Sequence, residues 1–315
     1  LSIDEIIERV EKGDCEAQYI IGFYYNRDSA IDSPDDEKAF YWLKLAAEQG
    51  HCEAQYSLGR KYSEDKSRHK DNEQAIFWLK KAALQGHTFA SNALGWILDR
   101  GEDPNYKEAV AWYQIAAESG MSYAQNNLGW MYRNGNGVAQ DYALAFFWYK
   151  QAALQGHSYA QDNLADLYED GKGVAQNKTL AAFWYLKSAQ QGNRHAQFQI
   201  AWDYNAGEGV DQDYKQAMYW YLKAAAQESV GAYVNIGYMY KHGQGVEKDY
   251  QAAFEWFMKA AECNDATAWY NLAIMYHYGE GRPVDLRQAL DLYRKVQASG
   301  TRDVSQEIRE IEDLL

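Results

Sequence analysis

A tryptophan recurs at Trp42, Trp78, Trp112, Trp148, Trp184, Trp220 and Trp256, with successive gaps of 36, 34, 36, 36, 36 and 36 residues. A fixed period of this length marks an array of similar units, each packing on its neighbours rather than around one shared core. It constrains the fold more than any other feature. It also directs the search for function toward positions that the units do not share.

Two segments keep this time. The first opens on Ala17, Ala54, Ala90, Ala124, Ala160, Ala196, Ala232 and Ala268. Four residues on comes Leu or Ile, then Gly or Ala, and eight residues on Tyr (Leu98 in one unit). Offsets of 4 and 8 place large apolar residues on one helical face, so the spacing predicts a helix, termed A, whose small residue admits a close neighbour. The second segment opens on Asp35, Asp71, Asn105, Asp141, Asn177, Asp213, Asp249 and Asp285, each seven residues before the tryptophan position, which is Leu292 in the last unit. An Asp or Asn in every unit predicts the N-cap of a second helix, B, each worth about 1 kcal/mol. Gln74, Glu108, Gln216 and Gln288, three residues after their caps, match a capping box.

Helix B is expected to end in a left-handed residue, since Gly13, Gly50, Gly86, Gly120, Gly156, Gly192 and Gly300 recur there. Glu228 and Asn264 replace it twice. A left-handed Glu228 would cost roughly 1–2 kcal/mol, so that turn is either remodelled or strained. Between A and B, five units carry Gly-x-Gly, from Gly135 to Gly279. A phosphate loop needs a preceding strand, which the pattern lacks, so five copies imply architecture. The first three units differ, one lengthened around Ser33 and Pro34, one reading Glu64 to Ser67, and one shortened to Gly101 to Pro104.

The stretch Ala-Ala-Glu-Gln-Gly-His-Cys-Glu-Ala-Gln-Tyr-Ser-Leu-Gly (46–59) resembles the Sel1-like repeat, a longer-looped relative of the tetratricopeptide repeat. The resemblance extends over about residues 14–300 in eight tandem copies. It implies an all-α, right-handed α/α superhelix (solenoid) of antiparallel helix pairs. Residues 1–13, with Ile3, Ile6, Ile7 and Val10, read as an N-terminal capping helix, and 301–315, with Val304, Ile308, Ile311 and Leu315, as a C-terminal one. No linker divides the array, so 14–300 reads as a single solenoid domain.

Net charge is −14 without a basic cluster, which argues against nucleic acid and against docking on anionic membranes. No apolar run approaches the roughly 20 residues of a membrane span. Three cysteines are too few for a disulfide framework, and secreted cysteine-rich relatives carry a pair per repeat. A reducing, cytoplasmic compartment is expected, with a periplasmic or secreted one as the alternative if an upstream signal was removed. His51, His87 and His157 follow the turn glycine in three units, too dispersed to share a metal ion, and no His-Glu-x-x-His or Cys-x-x-Cys occurs. No metal, no cofactor and no catalytic residue are expected.

In tetratricopeptide arrays the inner groove is lined mainly by helix A. The resemblance carries this to the places one residue before the opening alanine and two, three, six and nine after it. The sixth place holds Trp96, Trp130, Trp202 and Tyr238, while the fourth off-beat tryptophan, Trp269, falls on an adjacent face and is expected to pack. Tyr123 and Tyr159 precede their alanines, and Phe198 and Tyr270 take the second place. The third reads Asn127, Asn163, Gln199, Asn235 and Asn271, an amide ladder able to bond an extended peptide backbone. Arg133 and Lys241, at the ninth place, suit acidic groups or a C-terminal carboxylate. Rigid aromatics supply large contact areas at low entropic cost. The expectation is a non-enzymatic adaptor that holds a protein segment or peptide, as Sel1-like proteins do in bacterial assembly and signalling. The alternatives are a hydrolase of cell-wall or antibiotic-like substrates, as suggested for cysteine-rich relatives, and a carbohydrate-binding surface.

Overall fold

The computed structural model describes residues 3–25, 35–64, 68–101 and 103–315. The irregular stretch around Ser33 and Pro34, residues 65–67 and residue 102 lie outside them. Two compact units result, Leu1–His157 and Ser158–Leu315. The first holds α1 (Ile3–Glu11), α2 (Cys15–Tyr25), α3 (Asp36–Glu48), α4 (Cys52–Ser63), α5 (Asn72–Leu84), α6 (Thr88–Arg100), α7 (Tyr106–Glu118), α8 (Ser122–Asn134) and α9 (Tyr142–Leu154). The second holds α10 (Ser158–Asp170), α11 (Lys178–Gln190), α12 (Arg194–Ala206), α13 (Tyr214–Ala225), α14 (Val230–His242), α15 (Tyr250–Glu262), α16 (Ala266–Tyr278), α17 (Leu286–Ser299) and α18 (Ser305–Glu312). From α2 to α17, even-numbered helices are the A segments and odd-numbered ones the B segments. Among the described residues there is no strand, and within each unit a helix packs mainly on its sequence neighbours.

The small residue of helix A does what its size implies. A Cβ added to Gly129 would lie 2.8 Å from the Tyr149 ring, and one on Gly237 would lie 2.7 Å from Phe257. This contact shifts the deepest register one residue beyond the tryptophan beat. Leu43, Leu79, Tyr113, Tyr149, Tyr185, Tyr221, Phe257 and Tyr293 are fully buried along helix B. Trp78, Trp112 and Trp220 are buried, whereas Trp42, Trp148, Trp184 and Trp256 are half-buried. The residue after each tryptophan is thus the deepest, while Trp78, Trp112 and Trp220 join the core and the other four pack at its edge.

All eight predicted caps are present, with Asp213 for example accepting from the Lys215 and Gln216 N–H groups at 2.9 and 3.1 Å. The capping-box expectation is corrected. Each cap N–H donates instead to the carbonyl at helix A's tyrosine position, as Asp71 to Tyr62 and Asp285 to Tyr276, both at 2.9 Å. The A–B loop thus satisfies the donor that a Gln or Glu three residues on would have served. Gly137 shows why the loop keeps glycine, since its φ is +72° and a Cβ there would strike the Tyr106 carbonyl. Glu228 stays left-handed at φ 62°, so that turn is strained rather than remodelled.

Neighbouring turns are bolted by a glutamine pair. The Nε2 group of Gln49, Gln85, Gln155, Gln191 and Gln227 donates to Oε1 of Gln18, Gln55, Gln125, Gln161 and Gln197 at 2.7–2.8 Å. At the ends, Ile6 and Val10 cover Ala17, and Val304 and Ile311 pack against Tyr293 and Val296. The side chains of Ile3 and Ile7 are outside the described set, and Leu315 is exposed rather than part of the closing face.

Candidate functional site

Each A helix displays a face defined by positions seven residues apart, two helical turns. In the first unit Trp96 on α6 and Trp130 on α8 are 47% and 40% exposed. Seven residues before them, Phe89 and Tyr123 are exposed as well. Phe89 stands one residue before Ala90, the same column as Tyr123, so the repeat frame that points to Tyr123 points to it too. The Arg100 guanidinium lies 5.7 Å from the Trp96 ring centre. Arg133 on α8 is half-buried and engaged within the fold.

In the second unit Trp202 on α12 is 46% exposed and Tyr159 on α10 is exposed. The remaining predicted aromatics are half-buried and used in packing. Phe198 lies against Gly231 and tilts on Tyr221 at 5.7 Å, Tyr238 meets Phe257 edge-on at 5.6 Å, and Tyr270 sits 6.0 Å from Tyr293 with the Arg302 guanidinium 4.0 Å above it. Trp269 is half-buried in the core around Tyr293, as its adjacent face implied.

The amide ladder needs the larger correction. Asn271 is 2% exposed and donates to the Tyr238 hydroxyl at 3.0 Å and the Thr267 carbonyl at 2.8 Å. Asn235 donates to the Gly231 carbonyl of its own helix at 2.9 Å. Asn127 donates to Asn92 of the preceding A helix at 3.3 Å. Gln199 interacts with the Tyr185 hydroxyl, and Asn163 is half-buried and likewise engaged. A half-buried amide is dearer to leave unpaired than to bond locally, so these groups bond within their own helix or to the neighbouring one. Lys241 is corrected too, being 8% exposed and ion-paired to Glu280 at 2.7 Å.

Two of the histidines after the turn glycine, His51 and His87, act as N-caps of helix A. His51 and His87 accept through Nδ1 from Ala54 and Ala90 N–H at 3.2 and 3.0 Å, while their Nε2 groups face Glu16 and Glu53 at 2.9 and 3.2 Å. Below the exposed face, helix-B tyrosines reach acids on helix A. Tyr113 donates to Asp99 at 3.2 Å and Tyr185 to Asp166 at 2.8 Å. Burial pushes both phenols far up. Asp203 sits where most units carry Ile, Leu or Met. Burial, with Glu169 and Glu208 adding repulsion and Lys178 opposing it, pushes its carboxyl up to about 7.

A histidine outside the turn-glycine set does meet two carboxylates. Asp162 and Asp166 on α10 meet His195 from the first turn of α12, with His195 Nδ1 2.9 Å from Asp162 Oδ1. A cavity of about 360 Å³ adjoins them, lined by Tyr159, Asn193, Arg194, Gln227 and Gly192 besides Asp162 and His195. Its lining holds no serine or cysteine to serve as the nucleophile of the hydrolase alternative. No helix among the described residues is long and apolar enough to cross a membrane.

The Sel1 repeat profile matches eight times, at residues 15–51, 52–87, 88–121, 122–157, 158–193, 194–229, 230–265 and 266–295. The Sel1-repeat-containing protein YbeQ of Escherichia coli (strain K12) is 96% identical over 141 residues, a stretch covering 45% of this chain and 43% of that protein. A protective antigen of uropathogenic Escherichia coli strains that displays an SLR fold superposes with a TM-score of 0.89 at 34% identity, over 95% of this chain and 65% of that one. A Sel1 repeat protein from Oxalobacter formigenes gives 0.71 at 28% identity, over 98% and 90%. Eight contiguous repeats, each with its capped helix B and its glycine or alanine contact, account for nearly the whole sequence, and the chain belongs to the Sel1 repeat family.

Proposed function

We propose that this chain is a non-enzymatic interaction module that grips a peptide or protein segment on the exposed face of its A helices. The observation that carries the reading is the exposure of Trp96, Trp130 and Trp202, 40–47%, in a chain whose beat tryptophans are buried or half-buried. A large aromatic held in solvent by a rigid helix loses little entropy on binding and offers a wide contact. Tyr123, exposed on α8 of the first unit, and Tyr159, exposed on α10 of the second, add aromatic contact area within their own units. The amides do not join it as a ladder, so recognition rests on aromatic faces and on side-chain chemistry of the ligand.

The test is selection from a displayed peptide library, with a glycan array in parallel. The expected outcome is a selected peptide whose affinity falls at least tenfold on Trp96→Ala, Trp130→Ala and Trp202→Ala combined, with folding retained by circular dichroism. Peptide binding indifferent to the three changes, or enrichment of glycans alone, would overturn the reading.

A further inference from the structure

Three departures from the repeat pattern fall together in the second unit. Asp166 stands where Trp96, Trp130 and Trp202 stand in other repeats, His195 where Tyr123 and Tyr159 stand, and Asp162 where Asn92 and Asn126 stand. Asp162 and Asp166 are one helical turn apart on α10, and His195 is brought beside them by the packing of the next A helix. We propose that Asp162, Asp166 and His195 form a binding site for a first-row divalent cation of the Zn²⁺ or Mn²⁺ type. The inference is independent of the peptide-binding reading.

The geometry suits the ion. One ligand atom from each side chain lies within 4.8 Å of the others. His195 Nδ1 is 2.9 and 3.2 Å from the two Asp162 oxygens. Ligands around a metal at roughly 2.1 Å are about 3 Å apart at right angles and about 3.4 Å apart at the tetrahedral angle, so the spacing now spanned by a hydrogen bond is close to that of two neighbouring ligands. The carboxylates are held before any ion arrives. Asp162 is largely buried, and Asp166 accepts a 2.8 Å hydrogen bond from the Tyr185 hydroxyl, itself buried and in contact with Gln199. A hydrogen bond of that kind from outside the ligand set orients a metal-binding carboxylate. An ion placed between the two carboxylates cancels their mutual repulsion.

The donor set selects the class. One imidazole and two carboxylates favour Zn²⁺, Mn²⁺ or Fe²⁺ over soft Cu⁺, which takes sulfur, and over Ca²⁺, which takes oxygen alone. For Nδ1 to ligate, the neutral ring carries its proton on Nε2. Three protein ligands leave further coordination positions toward the cavity of about 360 Å³ lined by Tyr159, Arg194 and Gln227. A donor from solvent or from a bound partner fits there.

The experiment is calorimetric titration of Zn²⁺ into the chelator-stripped full chain, with Co²⁺ absorption reporting the ligand set. Asp162→Asn and His195→Gln are the variants. The first installs a residue that two other repeats carry at that place, and the second alters a side chain that is 53% exposed, so both keep the fold, checked by thermal midpoint. One ion per chain, with at least about tenfold weaker binding in each variant, is the expected result. Absent uptake, or weak multiple uptake that neither variant changes, marks diffuse attraction to the net charge of −14 and overturns the proposal.

Discussion

Asp203→Asn should stabilise this protein at neutral pH and hardly at all in acid. The carboxyl is 5% exposed on α12, beside Tyr221, whose hydroxyl, like Asp203 Oδ2, has no hydrogen-bond partner among the described contacts. Burial raises it from 3.8 to about 7. The folded state therefore holds a proton that the unfolded chain releases above pH 3.8, and stability falls as pH rises until the folded carboxyl also ionises near 7. Each tenfold step in that equilibrium is worth about 1.4 kcal/mol, so the full penalty is roughly 4 kcal/mol, reached above pH 7. Between pH 5 and pH 8 the gap between Asn and Asp should widen by about 2–3 kcal/mol, or roughly 3–5 °C in thermal midpoint. Thermal unfolding of both proteins across that range is the assay. A gap that stays constant with pH would refute the reasoning, because Asp203 would then not be the group that titrates.

Other outcomes follow from the repeats. Glu228→Gly should stabilise by about 1 kcal/mol, measured by denaturant unfolding, because it relieves a left-handed backbone at φ 62°. A double-mutant cycle on Gln125 and Gln155, joined at 2.8 Å, should return a coupling of about 1 kcal/mol, while Gln125→Ala alone loses more because it also abandons the Ala117 carbonyl. Gly129→Val should destabilise by about 2–3 kcal/mol in the same assay, since even a Cβ falls 2.8 Å from the Tyr149 ring.

The periodicity reported what every unit shares and was silent on what one unit does to its neighbour. Helix pairs, caps and the small-residue contact repeat in all eight units, so the pattern alone located them. The glutamine bolts were visible as well, though only as a pair of columns. Where Ser91 replaces the first glutamine, Ser119 replaces its partner, and Tyr233 and Cys263 change together likewise. Reading columns singly hides that pairing. The amide ladder failed for a related reason, because a column of Asn looks alike whether each amide faces a ligand or, as Asn271 does, bonds Tyr238 of the preceding repeat. Asp162 and His195 are 33 residues apart, nearly one period. Their meeting depends on how one A helix seats on the next, which spacing alone does not convey.

If the off-beat tryptophans are the ones that contact ligand, fluorine NMR will show it directly. The eleven tryptophans, labelled as 5-fluorotryptophan, are assigned by single Trp→Phe changes and followed while a library-selected peptide is added. The resonances of Trp96, Trp130 and Trp202 should shift and those of the helix-B tryptophans should stay. Shifts confined to the helix-B set would contradict it.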